Sequence, residues 1–240
     1  MPGTLPFGVR LVRNMAVQDW VVVAYFVALL LALLFGTGPN RPTNIQRVLG
    51  DLTLLATGLV LTRGEILRRG SLASALVYRA STFGTVLLSY FQLQLLLPAV
   101  TSRAMDGAIY ALDLRLFGVE PALAWDRFVN PVTTEWFAFW YFSYFLLLAV
   151  HTIPCLVVGD GKLNARFSLG LYAVFCVAHV LYTVVPGYGP YAHLAQEFRR
   201  PLEGGVFWPL VVRTVVENGA LKDIFPSLHT AVPTYCTVFA

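Results

Sequence analysis

Long apolar stretches alternate with short polar segments along the chain. Five of the stretches approach the roughly 20 residues that a helix needs to cross the hydrocarbon core of a bilayer, so they predict five membrane-spanning helices. A sixth apolar stretch begins at Phe225 and reaches Ala240 after too few residues to cross, so we expect it to continue beyond the given sequence. The five predicted spans are residues 17–36, 46–62, 74–97, 132–158 and 166–186.

This pattern predicts an all-α fold, a polytopic transmembrane helix bundle of about six spans with the last one cut off at the chain end. No internal repeat or low-complexity tract divides the sequence, so residues 1–240 are interpreted as a single membrane domain. The second span is the least apolar, because Asp51 lies inside it and Arg63 closes it. Arg10 and Arg13 precede the first apolar run, as in a secretory signal. No small-x-small cleavage pattern follows, and we interpret the run as an uncleaved helix.

The composition agrees with a membrane protein. The chain is 57% hydrophobic and 12% charged, with a mean hydropathy of +0.67, whereas soluble domains carry about 25% charged residues. The excess of lysine and arginine in loops on one side of the membrane accounts for the formal charge of +4, so no nucleic-acid partner is predicted. The cysteines and histidines are scattered without metal-ligand spacing, and we predict neither a metal nor a cofactor.

The positions of lysine and arginine in the short loops predict the orientation. The amino terminus, residues 62–71 and residues 159–167 are rich in these residues and fall on the same side of the predicted bundle, which should be cytoplasmic. The opposite side then carries residues 101–131 and 186–224. We therefore expect a multi-pass protein of the cell membrane in which the last helix begins at the extracytoplasmic face.

Several polar side chains fall within the predicted spans. Polar residues at membrane depth usually face neighbouring helices and pair with them. Interhelical hydrogen bonds are therefore a more economical interpretation than catalysis for Gln92, Gln94, His151 and His179.

Two segments outside the spans are expected to lie at the membrane interface. Residues 186–224 contain too many charged, glycine and proline residues for a span, and a loop of this length is usually functional or disordered. Its aromatic side chains favour a position against the interface. The stretch "LDLRLFGVEPAL" (112–123) is typical of an interfacial amphipathic helix that ends at Gly118.

The short stretch "KDIFPSLH" (222–229) carries the strongest chemical signal. Proline is favoured at the first helical position, so Pro226 predicts a helix start whose free N–H groups attract a phosphate. The Ser227 hydroxyl and the Lys222 ammonium would add to that site, and His229 is a candidate proton donor to a leaving oxygen. The alternative is a structural one, in which the serine and histidine merely cap the helix.

"FPSLH" resembles the second signature of the type-2 phosphatidic acid phosphatase superfamily, which reads Pro-Ser-x-His. The flanking pattern is most similar to the inositol phosphorylceramide synthase-like branch. That branch has a stretch similar to residues 112–123 and a Pro-x-x-Gly-Pro turn similar to "PGYGP" (186–190) ahead of the signature. The resemblance covers roughly the last half of the chain, so residues 101–240 are expected to form part of a phosphatase-like catalytic core that follows the amino-terminal helices of residues 1–100.

The resemblance implies metal-independent chemistry on a lipid phosphate. Ser227 would hold the phosphate, His229 would act as general acid, and a phosphohistidine would carry the phosphate-bearing head group to a lipid alcohol at the extracytoplasmic face. Hydrolysis by water is the close alternative. A third possibility is a non-catalytic membrane scaffold that binds lipid phosphates without turnover.

The sequence departs from the family pattern in two places. Where the first signature has a lysine, six residues and Arg-Pro, this chain has His193, six residues and Arg200-Pro201. The missing phosphate-binding cation is therefore expected from Arg200 or Lys222, and after them from Arg213. The third signature, with its nucleophilic histidine, has no counterpart in this sequence, and we expect that nucleophile beyond residue 240. The lipid, the acceptor and the oligomeric state stay open.

Overall fold

The structure is a computed structural model that describes residues 6–157 and 161–239. Within these ranges the chain is a bundle of helices without a β-strand, which confirms the predicted all-α class. A single 3₁₀ turn, Asp126–Phe128, separates the sixth helix from the seventh. The helices in these ranges are α1 (Phe7–Asn14), α2 (Val17–Phe35), α3 (Arg41–Arg63), α4 (Leu72–Val100), α5 (Asp106–Phe117), α6 (Pro121–Trp125), α7 (Pro131–Val157), α8 (Lys162–Val184), α9 (Pro190–His193), α10 (Phe207–Asn218) and α11 (Leu228–Phe239).

The five predicted spans are confirmed as helices that are long and apolar enough to cross a membrane, namely α2, α3, α4, α7 and α8. Helix α3 begins five residues before the predicted start of the span, because its polar first turn carries Pro42 at a favourable position. Helix α4 begins at Leu72, where the Ser71 side chain accepts the N–H of Ser74. Hydropathy marks the apolar part of each helix, whereas caps set the ends.

The core of the bundle forms where α2 packs against α3, α4 and α8. The side chains on the inner face of α2 are almost fully buried. Helices α3 and α4 approach closely at Gly58, where an added Cβ would collide with the Ser81 side chain. Small residues allow such close contact, and close packing is what holds helices together within lipid. The buried residues of α2 include Val22, Tyr25, Phe26, Leu29 and Leu33.

A buried ion pair closes one end of the bundle. The guanidinium of Arg63 donates to both carboxylate oxygens of Asp19, at 2.7 and 3.1 Å, and the Tyr78 hydroxyl donates to the same carboxylate at 2.6 Å. Asp19 is fully buried, so these charge-assisted hydrogen bonds offset the cost of removing its charge from water. The cluster ties α2, α3 and α4 together at this end.

The opposite end of the bundle brings together segments that are distant in sequence. The N–H of Thr37 donates to the Val100 carbonyl at 2.9 Å, and the N–H of Met105 donates to the Pro186 carbonyl at 2.7 Å. Gly187 forms an isolated parallel β-bridge with Asp223. The residues that lead into α11 therefore lie beside the carboxyl end of α4.

Residues 186–224 are more ordered than the sequence indicated. They contain α9 and α10, and α10 packs against α7. The Glu135 carboxylate of α7 accepts the backbone N–H groups of Val206, Phe207 and Trp208, at 2.6, 2.7 and 3.1 Å, and so caps the amino end of α10. The prediction of a helix ending at Gly118 is confirmed, because α5 ends there with Gly118 at φ 72°.

The prediction of interhelical hydrogen bonds is confirmed for two of the polar residues within the predicted spans. Gln92 on α4 donates to the Asp51 carboxylate on α3 at 3.3 Å, and His179 on α8 bonds to Tyr25 on α2. The prediction is wrong for His151, whose Nδ1 lies 2.8 Å from the Leu147 carbonyl of its own helix. A helical side chain reaches the carbonyl one turn back without needing a neighbour.

Candidate active-site cavity

Helix α11 begins at Leu228, so the expectation that Pro226 is the first helical residue is wrong by two positions. Ser227 occupies the N-cap, where the backbone is not yet helical but its carbonyl accepts the first helical N–H groups. Its carbonyl accepts from Thr230 at 3.2 Å and from Ala231 at 2.9 Å. The exposed Ser227 hydroxyl, with the Thr230 hydroxyl 3.5 Å away, remains accessible to a ligand.

Next to this helix start lies a cavity of about 710 Å³. It is bounded by α4, α7, α8, α11 and the segment of residues 186–224. Its volume falls in the range of known small-molecule sites, and its walls are mainly apolar and aromatic. The aromatic residues of the wall are Phe83, Tyr90, Phe91, Tyr141, Tyr144, Phe145, Phe175, Tyr182, Tyr188 and Tyr191.

His229 lies in the wall of the cavity and packs against tyrosines of α7. Its ring stacks on Tyr141, with 3.8 Å between centroids and 16° between planes, and contacts Tyr144 at 4.1 Å. These tyrosines are three positions apart and lie on the same face of α7. The orientation of the imidazole is thus determined by packing, and the sequence-predicted pair Ser227 and His229 lines one cavity.

Asp223 is a polar group of the cavity that sequence reasoning missed. Burial raises the pKa of its carboxyl, although the N–H groups of Ala220 and of Asp223 itself oppose the shift. The residue stands within "KDIFPSLH", but only the backbone path shows that its side chain lines the cavity.

The side chain of Lys222 does not line the cavity, although that of the next residue, Asp223, does. Its ammonium is buried and donates to the carbonyls of Thr101, Ser102 and Arg103, each at 3.3 Å. It also lies 5.3 Å from the centroid of the Tyr188 ring, which lines the cavity. The lysine is thus behind the cavity wall and is held by backbone carbonyls, whereas the sequence predicted that its ammonium would add to the phosphate site at the helix start.

The two predicted arginines do not line the cavity. The Arg200 side chain donates to the Val129 carbonyl at 3.1 Å, and its backbone N–H lies 3.4 Å from an Asp126 oxygen. Arg213 is exposed on α10 and pairs with Glu217 at 3.0 Å. Among the described residues that line the cavity there is neither lysine nor arginine. The structure therefore brings Ser227 and His229 together but not the three candidate cations.

A second histidine, His179, also lines the cavity. It is completely buried and is enclosed by the rings of Tyr25, Tyr90, Phe175 and Tyr182, with centroids 5.7 to 5.9 Å from its own. The sequence identified it as a source of interhelical hydrogen bonds, and no local pattern predicted that it lines the same cavity as His229. Only the packing of α8 against α2 and α4 brings it to this wall.

Comparison of the chain with protein-family models, with curated proteins and with solved structures finds no match. The resemblance to the phosphatase superfamily therefore stays a prediction that depends on the motifs themselves and on their order along the chain.

Proposed function

We propose that this protein is a membrane enzyme of lipid phosphate-ester chemistry, which transfers a phosphate-bearing head group to a lipid alcohol and uses His229 as its general acid. The observation that carries this proposal is the position of Ser227 and His229 in the wall of one cavity whose other walls are aromatic. Such a cavity suits an amphiphile, because its apolar walls accept acyl chains while the start of α11 receives the polar end.

The proposed reaction has two displacements. In the first, a histidine nucleophile attacks phosphorus, the bond from phosphorus to the leaving oxygen breaks, and His229 gives its proton to that oxygen. In the second, a lipid alcohol attacks phosphorus, the phosphorus–nitrogen bond breaks, and His229 recovers a proton from the alcohol. The Ser227 hydroxyl donates to a phosphate oxygen throughout. The family resemblance assigns the nucleophile to a third signature, which these 240 residues do not contain.

The packing of His229 supports its proposed role. A general acid must hold its ring within hydrogen-bond reach of the leaving oxygen. Two tyrosine rings of α7 restrict the orientation of this imidazole, which reduces the entropy lost when substrate binds. The proposal also places the cavity at the extracytoplasmic face of a multi-pass cell-membrane protein, because Arg63, Arg68 and Arg69 lie at the opposite end of the bundle.

One observation favours a second candidate function, the non-catalytic binding of lipids. The charged side chain in the described wall of the cavity is Asp223, and the nearest predicted cation, Lys222, is engaged by carbonyls. A phosphate dianion needs positive charge to stabilise its oxygens. A scaffold that binds neutral amphiphiles would not need it.

The experiment that separates these functions compares wild-type protein with His229→Ala. The full chain in detergent is incubated with labelled lipid phosphates, a lipid alcohol and a chelator of divalent metals. We expect metal-independent turnover that falls at least roughly 100-fold in the variant, the usual scale of general acid catalysis. His193→Ala is the matched control, because His193 is exposed and does not line this cavity.

The products then decide between the alternatives. A labelled lipid product indicates transfer, whereas free phosphate or a free phosphorylated head group indicates hydrolysis. Equal turnover by wild type and His229→Ala contradicts the assignment of the general acid. Saturable lipid binding without turnover across a broad lipid panel would favour the scaffold.

A further inference from the structure

His179 belongs to a buried chain of hydrogen bonds that joins three helices. Its Nδ1 lies 3.1 Å from the Tyr25 hydroxyl of α2, and that hydroxyl lies 2.7 Å from the Ser89 hydroxyl of α4. Ser89 in turn donates to the carbonyl of Val86 at 2.7 Å. Tyr25, Ser89 and His179 are 2%, 0% and 0% exposed, so water does not compete for these groups.

The direction of each hydrogen bond follows from this carbonyl. A carbonyl oxygen only accepts, so the proton of Ser89 is committed to Val86 and its oxygen must accept from Tyr25. The Tyr25 proton is then committed too, and its oxygen must accept from His179. Nδ1 of His179 therefore carries a proton. In the neutral imidazole, the expected form for a buried ring without a carboxylate partner, Nε2 is then an acceptor.

This Nε2 has no hydrogen-bond partner within the described residues, although it is buried and its ring lines the cavity. Buried polar atoms are seldom left without a partner, and an exception needs an explanation. We propose that Nε2 of His179 accepts a hydrogen bond from the hydroxyl of a lipid alcohol bound in the cavity.

Because Nε2 of His179 is a hydrogen-bond acceptor, its ligand must supply a hydrogen-bond donor. A phosphate dianion or an ester carbonyl offers no proton to Nε2, whereas a primary or secondary alcohol does. His179 lies five residues before the end of α8, so the hydroxyl would be held roughly 7 Å below that end, with aromatic walls around the attached chains. The use of this alcohol as the acceptor of a head group depends on the proposed function, but its binding does not.

The test measures binding to the full chain in detergent, without phosphate donor. The probes are radiolabelled 1,2-dioctanoylglycerol and its 3-O-methyl ether, in which a methyl group replaces the hydroxyl proton. We expect the alcohol to bind about five- to tenfold more tightly than the ether, the effect of one buried hydrogen bond. His179→Phe should bind both probes alike. His151→Phe is the matched control, because His151 is also intramembrane but does not line the cavity, and it should keep the preference.

A second measurement on the wild type does not depend on whether a variant folds. With ¹⁵N-labelled histidine, the Nε2 resonance of His179 should move when the alcohol is added and stay in place with the ether. Equal binding of both probes by wild type, or a preference that survives in folded His179→Phe, overturns the proposal. A resonance that responds to neither probe also overturns it. Because this test measures binding without a phosphate donor, whereas the proposed function is tested by turnover, loss of turnover and loss of alcohol recognition are distinguishable.

Discussion

Replacement of Lys222 by methionine tests whether this lysine has a structural role or binds a phosphate. Methionine keeps the length and most of the apolar stem but removes the ammonium that serves the carbonyls of Thr101, Ser102 and Arg103. Those carbonyls follow the carboxyl end of α4. If they define the role of the lysine, the loss will appear as reduced stability, with little change in the affinity of folded protein for lipid phosphates.

The expected magnitude follows from the geometry. Hydrogen bonds from a charged donor contribute about 1.5–3 kcal/mol each, but the three distances of 3.3 Å exceed the usual 2.9 Å, so each falls at or below the lower limit. Because the three bonds share one ammonium, their contributions do not add in full. The net loss should be about 2–3 kcal/mol, or a fall in Tm of about 5–10 °C for a chain of this size.

Thermal unfolding of the full chain in one detergent measures this loss, with phosphatidic acid binding measured on the folded fraction. Arg213→Met is the matched control, because its exposed pair with Glu217 should contribute less than about 1 kcal/mol. The reasoning is refuted if Lys222→Met unfolds within 2 °C of wild type, a margin of roughly 1 kcal/mol or less. A loss of phosphatidic acid binding of tenfold or more in folded variant would identify the ammonium as the ligand that the sequence predicted.

Two further predictions concern single carboxylates. Burial raises the pKa of Asp223, so its ionised form destabilises the fold as pH rises through the unfolded value of about 3.9 towards the folded value. Asp223→Asn should therefore unfold at a higher temperature than wild type at pH 7, with the difference vanishing below about pH 4, whereas Glu197→Gln, an exposed control, should show no such trend. Glu135→Gln should loosen the start of α10, because three backbone N–H groups lose their carboxylate acceptor. Faster hydrogen exchange of the backbone amides of Val206, Phe207 and Trp208 would show that the start of α10 is loosened. Unchanged exchange would contradict the assignment of Glu135 as a cap.

Hydropathy was sufficient to predict the bundle, because the signal of a membrane-spanning helix is carried by the segment itself. Helix α10 was missed for the opposite reason. It is short, contains Arg213 and Glu217, and follows a run of glycine and proline residues, so composition favoured a loop. Apolar positions at Val211 and Val215 give a helical spacing that would have predicted a helix there. Its cap, Glu135, lies more than 70 residues earlier, and no local pattern predicts such a contact.

The candidate site likewise contains residues that the sequence identified and residues that it did not. Ser227 and His229 were found because a short motif at a helix start identifies them directly. Asp223 and His179 were not, because their relation to the cavity depends on which way a backbone turns and on how α8 packs against α2. The sequence predicted a hydrogen bond for His179, which is confirmed, but the free Nε2 becomes visible only when the donors and acceptors of three helices are considered together.

The opposite directions of Lys222 and Asp223 show how the segment before α11 is held. Lys222 lies in a tight turn, in which Leu221 has φ 63° and the Lys222 N–H donates to the Ala220 carbonyl at 2.8 Å, and Asp223 then forms the bridge with Gly187. Lys222 is fixed among the carbonyls that follow α4, Asp223 lines the cavity, and the path from Asp223 to Ser227 is only four residues long. The lysine therefore anchors the segment that leads into α11, the helix on which His229 stacks against Tyr141. A lysine four residues before a Pro-Ser-x-His motif suggests a phosphate ligand, yet here its contacts make it a positioning residue, and its loss should displace His229 without removing any charge from the cavity wall.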